Sequence, residues 1–312
     1  MQGTRPQASP CPLLNASESR NKAIVNALTF DVEDYYQVSA FQSSVPMADW
    51  DRYESRVERN TYKLLDILSA AGVRATFFVL GWVAERHSAM VKAIHAGGHE
   101  VASHGYSHEM LTQLNPLQFR EDIRRAKGLL EDLIGCRILG YRAPSFTIVQ
   151  ETMWALPVLV EEGFAYDSSI FPIRHDRYGM PHANPLCHRL VTPAGPLWEI
   201  PPSTFAIGGI RIPIAGGGYL RLFPYRLLRR LLKQVERQGV PLVMYLHPWE
   251  LDPEQPQIPA SFVSSFRHHV NLHKTEGRLM NLLRDFRFAP IQEAIDPIRQ
   301  LNGRRPCAEL VV

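Results

Sequence analysis

Three carboxylates are crowded into four positions directly after an apolar segment. Asp31, Glu33 and Asp34 follow ALTF in the stretch TFDVEDYYQVSAF. Like charges at this spacing repel one another unless a cation or a basic partner lies between them. The stretch therefore predicts a cation-binding or catalytic centre at the end of a buried strand.

Two histidines supply the other residue type that such a centre needs. His104 and His108, in SHGYSHEM, are spaced i, i+4, so a helical turn would bring both imidazoles to one side. Catalytic zinc sites use imidazole nitrogen and carboxylate oxygen, with three protein ligands. The third ligand would be a carboxylate from another strand end. The alternative is a chance pair of surface histidines, since the sequence contains 12.

The elements that must position these residues are short apolar strands alternating with amphipathic helices. This alternation is typical of an α/β fold with a mainly parallel sheet. The segments TFDVED, SHGYSH, YRAPSF and YLH each lie at the end of such a strand, where parallel βα barrels place their chemistry. The predicted strands span residues 26–30, 75–80, 99–104, 137–141, 164–169, 197–201 and 241–247.

Composition limits the remaining possibilities. The 312 residues are 45% hydrophobic, enough for one large core or two modest ones, and the net charge of +3 is too weak to indicate nucleic-acid binding. Four scattered cysteines without a CxxC pair predict reduced thiols rather than a zinc knuckle or a disulfide framework. No apolar stretch near the N-terminus has the length of a signal peptide or membrane helix, so we expect a cytoplasmic protein without a transmembrane segment.

Three regions are predicted along the chain. Residues 1–22 are polar and read as a flexible tail, 23–250 as the barrel, and 251–312 as a C-terminal helical extension that packs on it. The triple glycine of GIRIPIAGGGYLRLF predicts a loop beside the substrate groove, because no phosphate-binding GxxxxGK[ST] pattern is present. His268, His269 and His273 are predicted to lie on solvated helix faces.

The four strand-end segments resemble, in order, the motifs of the polysaccharide deacetylases of carbohydrate esterase family 4, the NodB-homology fold. The resemblance covers residues 23–251. The stretches DVEDYYQVSAF, GGGYLRLFPY and YLHPWELDP further resemble the bacterial branch associated with exosortase and extracellular-polysaccharide gene clusters. The family implies a distorted (β/α) barrel of about seven strands and metal-dependent removal of N-acetyl groups from amino sugars in a glycan.

The resemblance also implies a role for individual residues. Asp31 matches the general base, Arg142 its ion-pair partner and His247 the general acid. Asp167, in YDSS, would orient His247. His104 and His108 match the ligands of one divalent ion, for which we expect zinc.

The carboxylate ligand departs from the family pattern of two adjacent aspartates, because Val32 occupies the second place. Either Glu33 or Asp34 must then bind the ion. Side chains alternate along a strand, so Glu33 points the same way as Asp31 and is favoured.

Substrate contacts are expected from the YRAPSF and YLHPWEL segments. The candidates are Tyr141, Ser145, Phe146 and Trp249, with Ser145 standing where the family motif commonly has an aromatic residue. A small-molecule amidohydrolase on the same fold and an inactive glycan-binding barrel remain alternatives. Glycoside hydrolysis is disfavoured, because the clustered carboxylates are too close in sequence to flank a glycosidic bond. The particular glycan and the oligomeric state stay open.

Overall fold

The computed structural model describes residues 24–175 and 178–295, and its main feature is a nine-stranded, mostly parallel sheet. The predicted tail, residues 1–22, lies outside the described residues. The strands are β1 (Asn26–Val32), β2 (Thr76–Val79), β3 (Glu100–Ser103), β4 (Gly140–Tyr141), β5 (Tyr166–Asp167), β6 (His188–Thr192), β7 (Gly195–Glu199), β8 (Thr204–Ile207), β9 (Ile210–Pro213), β10 (Val243–Leu246) and β11 (Phe288–Ala289).

Helices flank the sheet and connect most of its strands. None of the helices in the described ranges is both long and apolar enough to span a bilayer. The helices are α1 (Val57–Ala70), α2 (Gly81–Arg86), α3 (Ser88–Ala96), α4 (Pro116–Ile134), α5 (Ala155–Glu161), α6 (Gly217–Leu222), α7 (Tyr225–Glu236), α8 (Phe262–His269), α9 (Thr275–Asp285) and α10 (Ile291–Ala294).

The strand order is β10-β1-β2-β3-β4-β5-β7-β6, with β11 paired to β1. All pairs in this sheet are parallel except β6 with β7, and β8 and β9 form a separate antiparallel hairpin. The α/β class and all seven predicted strands are therefore confirmed. Between residues 24 and 295 the sheet does not close into a complete barrel.

Alternation along the strands separates two packing faces. In β1, Leu28 and Phe30 join the large cluster between sheet and helices, whereas Ala27 joins a smaller cluster on the other face. Thr29 and Asp31 are also fully or almost fully buried on that second face. The second face thus carries the polar residues that lead to the strand ends.

Two local predictions need correction. GGGYLRLF is not a loop, because α6 begins at Gly217 directly after the first glycine of the triplet. Four strands, β6, β8, β9 and β11, are absent from the sequence prediction because they are short and partly exposed, which weakens their apolar alternation.

Candidate active site

Four strands bring ionisable side chains to one edge of the sheet. Because neighbouring strands run in parallel, the residues after their carboxyl ends meet there. Glu33 follows β1, His104 follows β3, Arg142 follows β4 and His247 follows β10. The structure thus brings together the residues that the sequence singled out.

Glu33, His104 and His108 form a group able to hold one metal ion. Each offers a ligand atom, these atoms lie within 4.8 Å of one another, and all three residues are buried. Oε2 of Glu33 lies 2.6 Å from Nε2 of His108, yet no group in the described part of the chain meets hydrogen-bond geometry with it. A divalent cation held by these three residues would give the orphaned oxygen a partner, so the donor set fits the ion that the family implies.

Both electrostatics and orientation suit ion binding. Burial lowers the pKa of His104 to about 4, so its imidazole is neutral at pH 7, the form that ligates metals. Burial alone would raise the pKa of Glu33, but His108 and the other imidazoles bring it to about 2. Nδ1 of His104 donates to the Arg142 carbonyl at 2.8 Å, which leaves Nε2 facing the site.

His104 and His108 meet without the helical turn that their spacing predicts. Gly105 and His108 both have positive φ, 75° and 54°, so the segment is a loop. Asp122, on α4, fixes this loop by accepting hydrogen bonds from the amides of Tyr106 at 2.7 Å and Ser107 at 2.9 Å. A Cβ at position 105 would lie 2.8 Å from Asp122, so glycine is needed there. The sequence carried no signal for Asp122.

Asp34 is turned away from the ion-binding group. One of its oxygens accepts from the amides of Arg56 at 2.8 Å and Val57 at 3.1 Å, and from the hydroxyl of Ser55 at 2.8 Å. The Asp34 carboxylate therefore caps the first turn of α1. This geometry removes it from the candidate ligands and leaves Glu33.

Asp31 is fixed by a fully buried arginine. Nη1 of Arg142 donates to Asp31 at 2.7 Å and to the hydroxyl of Thr29 at 2.8 Å. The other guanidinium nitrogens donate to the carbonyl and hydroxyl of Ser168. This arrangement leaves Oδ2 of Asp31 directed toward His247, at 3.9 Å from its Nε2.

His247 borders the same group and is held by Glu250 rather than by Asp167. Its Nε2 lies 3.7 Å from Glu33, and its Nδ1 lies 2.7 Å from Oε1 of Glu250. Burial would lower the pKa of His247, but the bond to Glu250 and the nearby carboxylates raise it to about 9. The predicted orienting role of Asp167 is wrong, because its carboxylate accepts from Ser169 and interacts with Glu199.

The predicted substrate contacts are mostly buried. Tyr141 is 1% exposed and packs on Phe119 and Phe164, so it is a core residue. Phe146, 6% exposed, packs on Tyr245, whereas half-buried Ser145 places its hydroxyl 2.5 Å from that of Ser39.

Trp249 is also buried, and it contacts Glu33 and His247 from the protein interior. Its Nε1 donates to Glu33 at 3.2 Å, and its ring stacks between His247 and His268. His268 is therefore buried rather than solvated. Trp249 has no free face for a sugar ring.

Comparison with known proteins divides the chain into two parts. Residues 19–157 match the family model described as polysaccharide deacetylase, and residues 168–296 match a domain of unknown function, DUF3473. Asp31, the ion-binding group and Arg142 lie in the first part, whereas His247 and Glu250 lie in the second. The site is therefore assembled from both.

Several curated relatives are named deacetylases. A peptidoglycan deacetylase-like protein of Gibberella zeae is 38% identical over 110 residues, covering 35% of this chain and 32% of the relative. A peptidoglycan-N-acetylglucosamine deacetylase of Bacillus cereus is 36% identical over 96 residues, covering 30% of this chain and 35% of the relative. The matches thus span about a third of each of these proteins.

A solved structure extends the likeness to nearly the whole chain. The crystal structure of a putative polysaccharide deacetylase from Mycobacterium smegmatis superposes with a TM-score of 0.61 at 22% identity, covering 95% of this chain and 96% of that one. At this identity the match establishes the fold alone. The sequence likeness to polysaccharide deacetylases therefore lies in residues 19–157, and the solved structure adds that nearly the whole chain shares the fold of that protein.

Proposed function

We propose that this protein is a metal-dependent hydrolase that removes acetyl groups from N-acetylated amino sugars of a bacterial polysaccharide or its precursor. One observation carries the proposal: a carboxylate fixed by arginine, Asp31, and an imidazole, His247, lie 3.9 Å apart beside a group that can hold an ion. The deacetylase family model and the names of the relatives support the same reaction.

The ligands in this proposal are Glu33, His104 and His108, and the ion is zinc. Two imidazoles and a carboxylate are a ligand set of catalytic zinc enzymes, which keep one position open. A divalent ion held there would polarise the acetyl carbonyl and make a water molecule more acidic.

Two side chains move the protons. Asp31 takes a proton from the attacking water, whose oxygen bonds to the carbonyl carbon while the carbon–nitrogen bond breaks. Nε2 of His247 gives its proton to the departing amine nitrogen. With a pKa of about 9, His247 carries that proton at neutral pH. The products are acetate and a free amino sugar.

Acetate release tests the proposal directly. Zinc-loaded protein should release acetate from N-acetylglucosamine oligomers and produce one free amine for each acetate. Allantoin and formamide, substrates for a small-molecule amidohydrolase, should remain intact. Hydrolysis of either, without acetate release from any N-acetylated oligomer, would overturn the glycan assignment in favour of the amidohydrolase.

A further inference from the structure

His247 is held from behind by a buried chain of charged groups. Oε1 of Glu250 contacts both Nδ1 and the backbone amide of His247, at 2.7 and 3.2 Å, and Oε2 of Glu250 lies 2.8 Å from Nε of Arg221. We propose that Arg221, in α6, is a positioning residue for His247 and acts through Glu250. The proposal rests on the proposed function, in which His247 is the proton donor.

The arginine is itself fixed on its far side. Nη1 of Arg221 donates to the carbonyls of His268 at 2.9 Å and Val270 at 2.8 Å, at the carboxyl end of α8. A cation is favourable there, because the last carbonyls of a helix carry partial negative charge. Arg221 is 2% exposed, so its planar guanidinium holds one orientation between α8 and Glu250.

The backbone of α6 leaves room for this contact. A Cβ on Gly217 would lie 2.1 Å from Oε2 of Glu250, so any larger residue would displace the carboxylate. The carboxylate therefore packs directly against the helix that carries its arginine partner. Gly217 and Arg221, four residues apart in the GGGYLR segment, therefore both help to fix the position of Glu250.

The chain of contacts fixes which nitrogen of His247 reaches the substrate. Because Glu250 accepts the Nδ1 hydrogen, Nε2 faces Asp31 and Glu33. Burial works to raise the pKa of Glu250, but Arg221 and His247 hold it below its usual value. Without Arg221 the buried carboxylate would lack its strongest cationic partner and would hold the imidazole less firmly.

If Arg221 only supports the structure of the site, its loss should affect all substrates alike. If it positions His247, its loss should depend on the kind of leaving group. An amine must be protonated as it leaves, so amide hydrolysis depends on the proton donor. A 4-nitrophenolate ion leaves without a proton. Misplacing His247 should slow release of the amine and spare the ester, whereas a general distortion of the site should slow both.

The test compares Arg221→Met and Glu250→Gln with the wild-type full chain, each loaded with zinc. On N-acetylglucosamine oligomers we expect kcat to fall by about 10²–10⁴, the usual contribution of a positioned acid, with KM and bound zinc unchanged. Hydrolysis of 4-nitrophenyl acetate should stay close to the wild-type rate. Arg56→Met is the matched control, since it removes another largely buried guanidinium, one that pairs with Asp252 at 3.2 Å; it should leave both rates unchanged.

Equal losses on the amide and the ester, or no loss on either, would overturn the positioning role. If Arg221→Met does not fold, Arg221→Lys retains the charge but not the planar fork, and it must show the same selective loss to a smaller degree. An equal loss on both substrates in that variant would also overturn the proposal.

Failure of the proposed function can be told apart from failure of the positioning role of Arg221. Wild-type protein that releases no acetate from any glycan would refute the function without touching the geometry around His247. The proton NMR signal of the His247 Nδ1 hydrogen then decides. A shift of this signal in Arg221→Met but not in Arg56→Met supports positioning, and an unchanged signal contradicts it.

Discussion

Glu33 and Asp34 are neighbours in sequence, yet they serve different parts of the molecule. Glu33 continues the alternation of β1 and shares a face with Asp31, beside the two histidines. Asp34 bends away and binds the first amides of α1. Strand alternation alone favoured Glu33. The partner of Asp34 lies on a helix more than 20 residues away, so no local pattern could reveal it.

These different contacts predict that alanine at position 33 affects zinc binding, whereas alanine at position 34 affects folding stability. Glu33→Ala should abolish stoichiometric zinc binding in a calorimetric titration, because it removes a ligand. Asp34→Ala should keep the zinc but lower the free energy of unfolding by about 0.5–2 kcal/mol, as loss of a helix cap does. Zinc binding that survives in Glu33→Ala and disappears in Asp34→Ala would reverse the assignment.

Asp167 and Glu199 show what sequence reasoning misses about buried carboxylates. Both are fully buried, and burial raises the pKa of each, that of Glu199 well above its usual value. The two carboxyl groups interact directly, so burial and the neighbouring Asp167 both favour the protonated form of Glu199. The resemblance assigned Asp167 to His247, whereas β5 and β7 pair it with Glu199.

The raised pKa of Glu199 makes folding stability depend on pH. Below pH 4.5 the Glu199 carboxyl is protonated in both the folded and the unfolded chain. As the pH rises above 4.5, the unfolded chain loses this proton before the folded chain does. The contribution of Glu199 to the free energy of unfolding therefore declines as pH rises. Glu199→Gln removes this effect and can still accept from the Ile170 amide. Urea unfolding between pH 4.5 and 7 should show the wild type losing stability relative to Glu199→Gln. Parallel curves would contradict the assigned protonation.

At the scale of elements, the glycine triplet shows why a reasonable prediction failed. Glycine disfavours helices, so the triplet predicted a loop. Gly216 and Gly217 are instead required by close contacts: a Cβ would lie 2.5 Å from the Tyr245 hydroxyl at the first and 2.1 Å from Glu250 at the second. Those contacts come from β10 and the residues after it, and they are visible only in three dimensions.

The two glycines of the first helical turn should respond differently to alanine. Gly217→Ala forces Glu250 out of place and should cost about 1–3 kcal/mol of folding stability, typical of overpacking. At Gly218 an added Cβ meets no atom of the described residues within 4 Å, so Gly218→Ala should be neutral or stabilising, since alanine favours helices. Urea unfolding of both variants measures the difference. Equal stabilities would show that the contact at Gly217 relaxes freely.

At the scale of the whole molecule, the site depends on strand order. One edge of the sheet collects residues from both parts of the chain that match family models, 19–157 and 168–296. The adjacent strands that do this are β10, β1, β2, β3 and β4. The strand-end motifs predicted this meeting, because parallel strands align their carboxyl ends. The sequence could not predict the open sheet or the contacts of Arg221 with α8, since these depend on packing between distant segments.

The proposed deacetylation, with Asp31 as the base, is tested most directly by measuring acetate release from N-acetylglucosamine oligomers at neutral pH. Wild-type and Asp31→Asn protein are compared at equal zinc content. Asp31 is not one of the proposed ligands, so the variant should still bind one zinc ion. Its kcat should fall by about 10²–10⁴, because the general base is lost. The wild type should release one acetate per free amine. Undiminished turnover by Asp31→Asn, or zinc-loaded wild type that releases no acetate, would contradict the account.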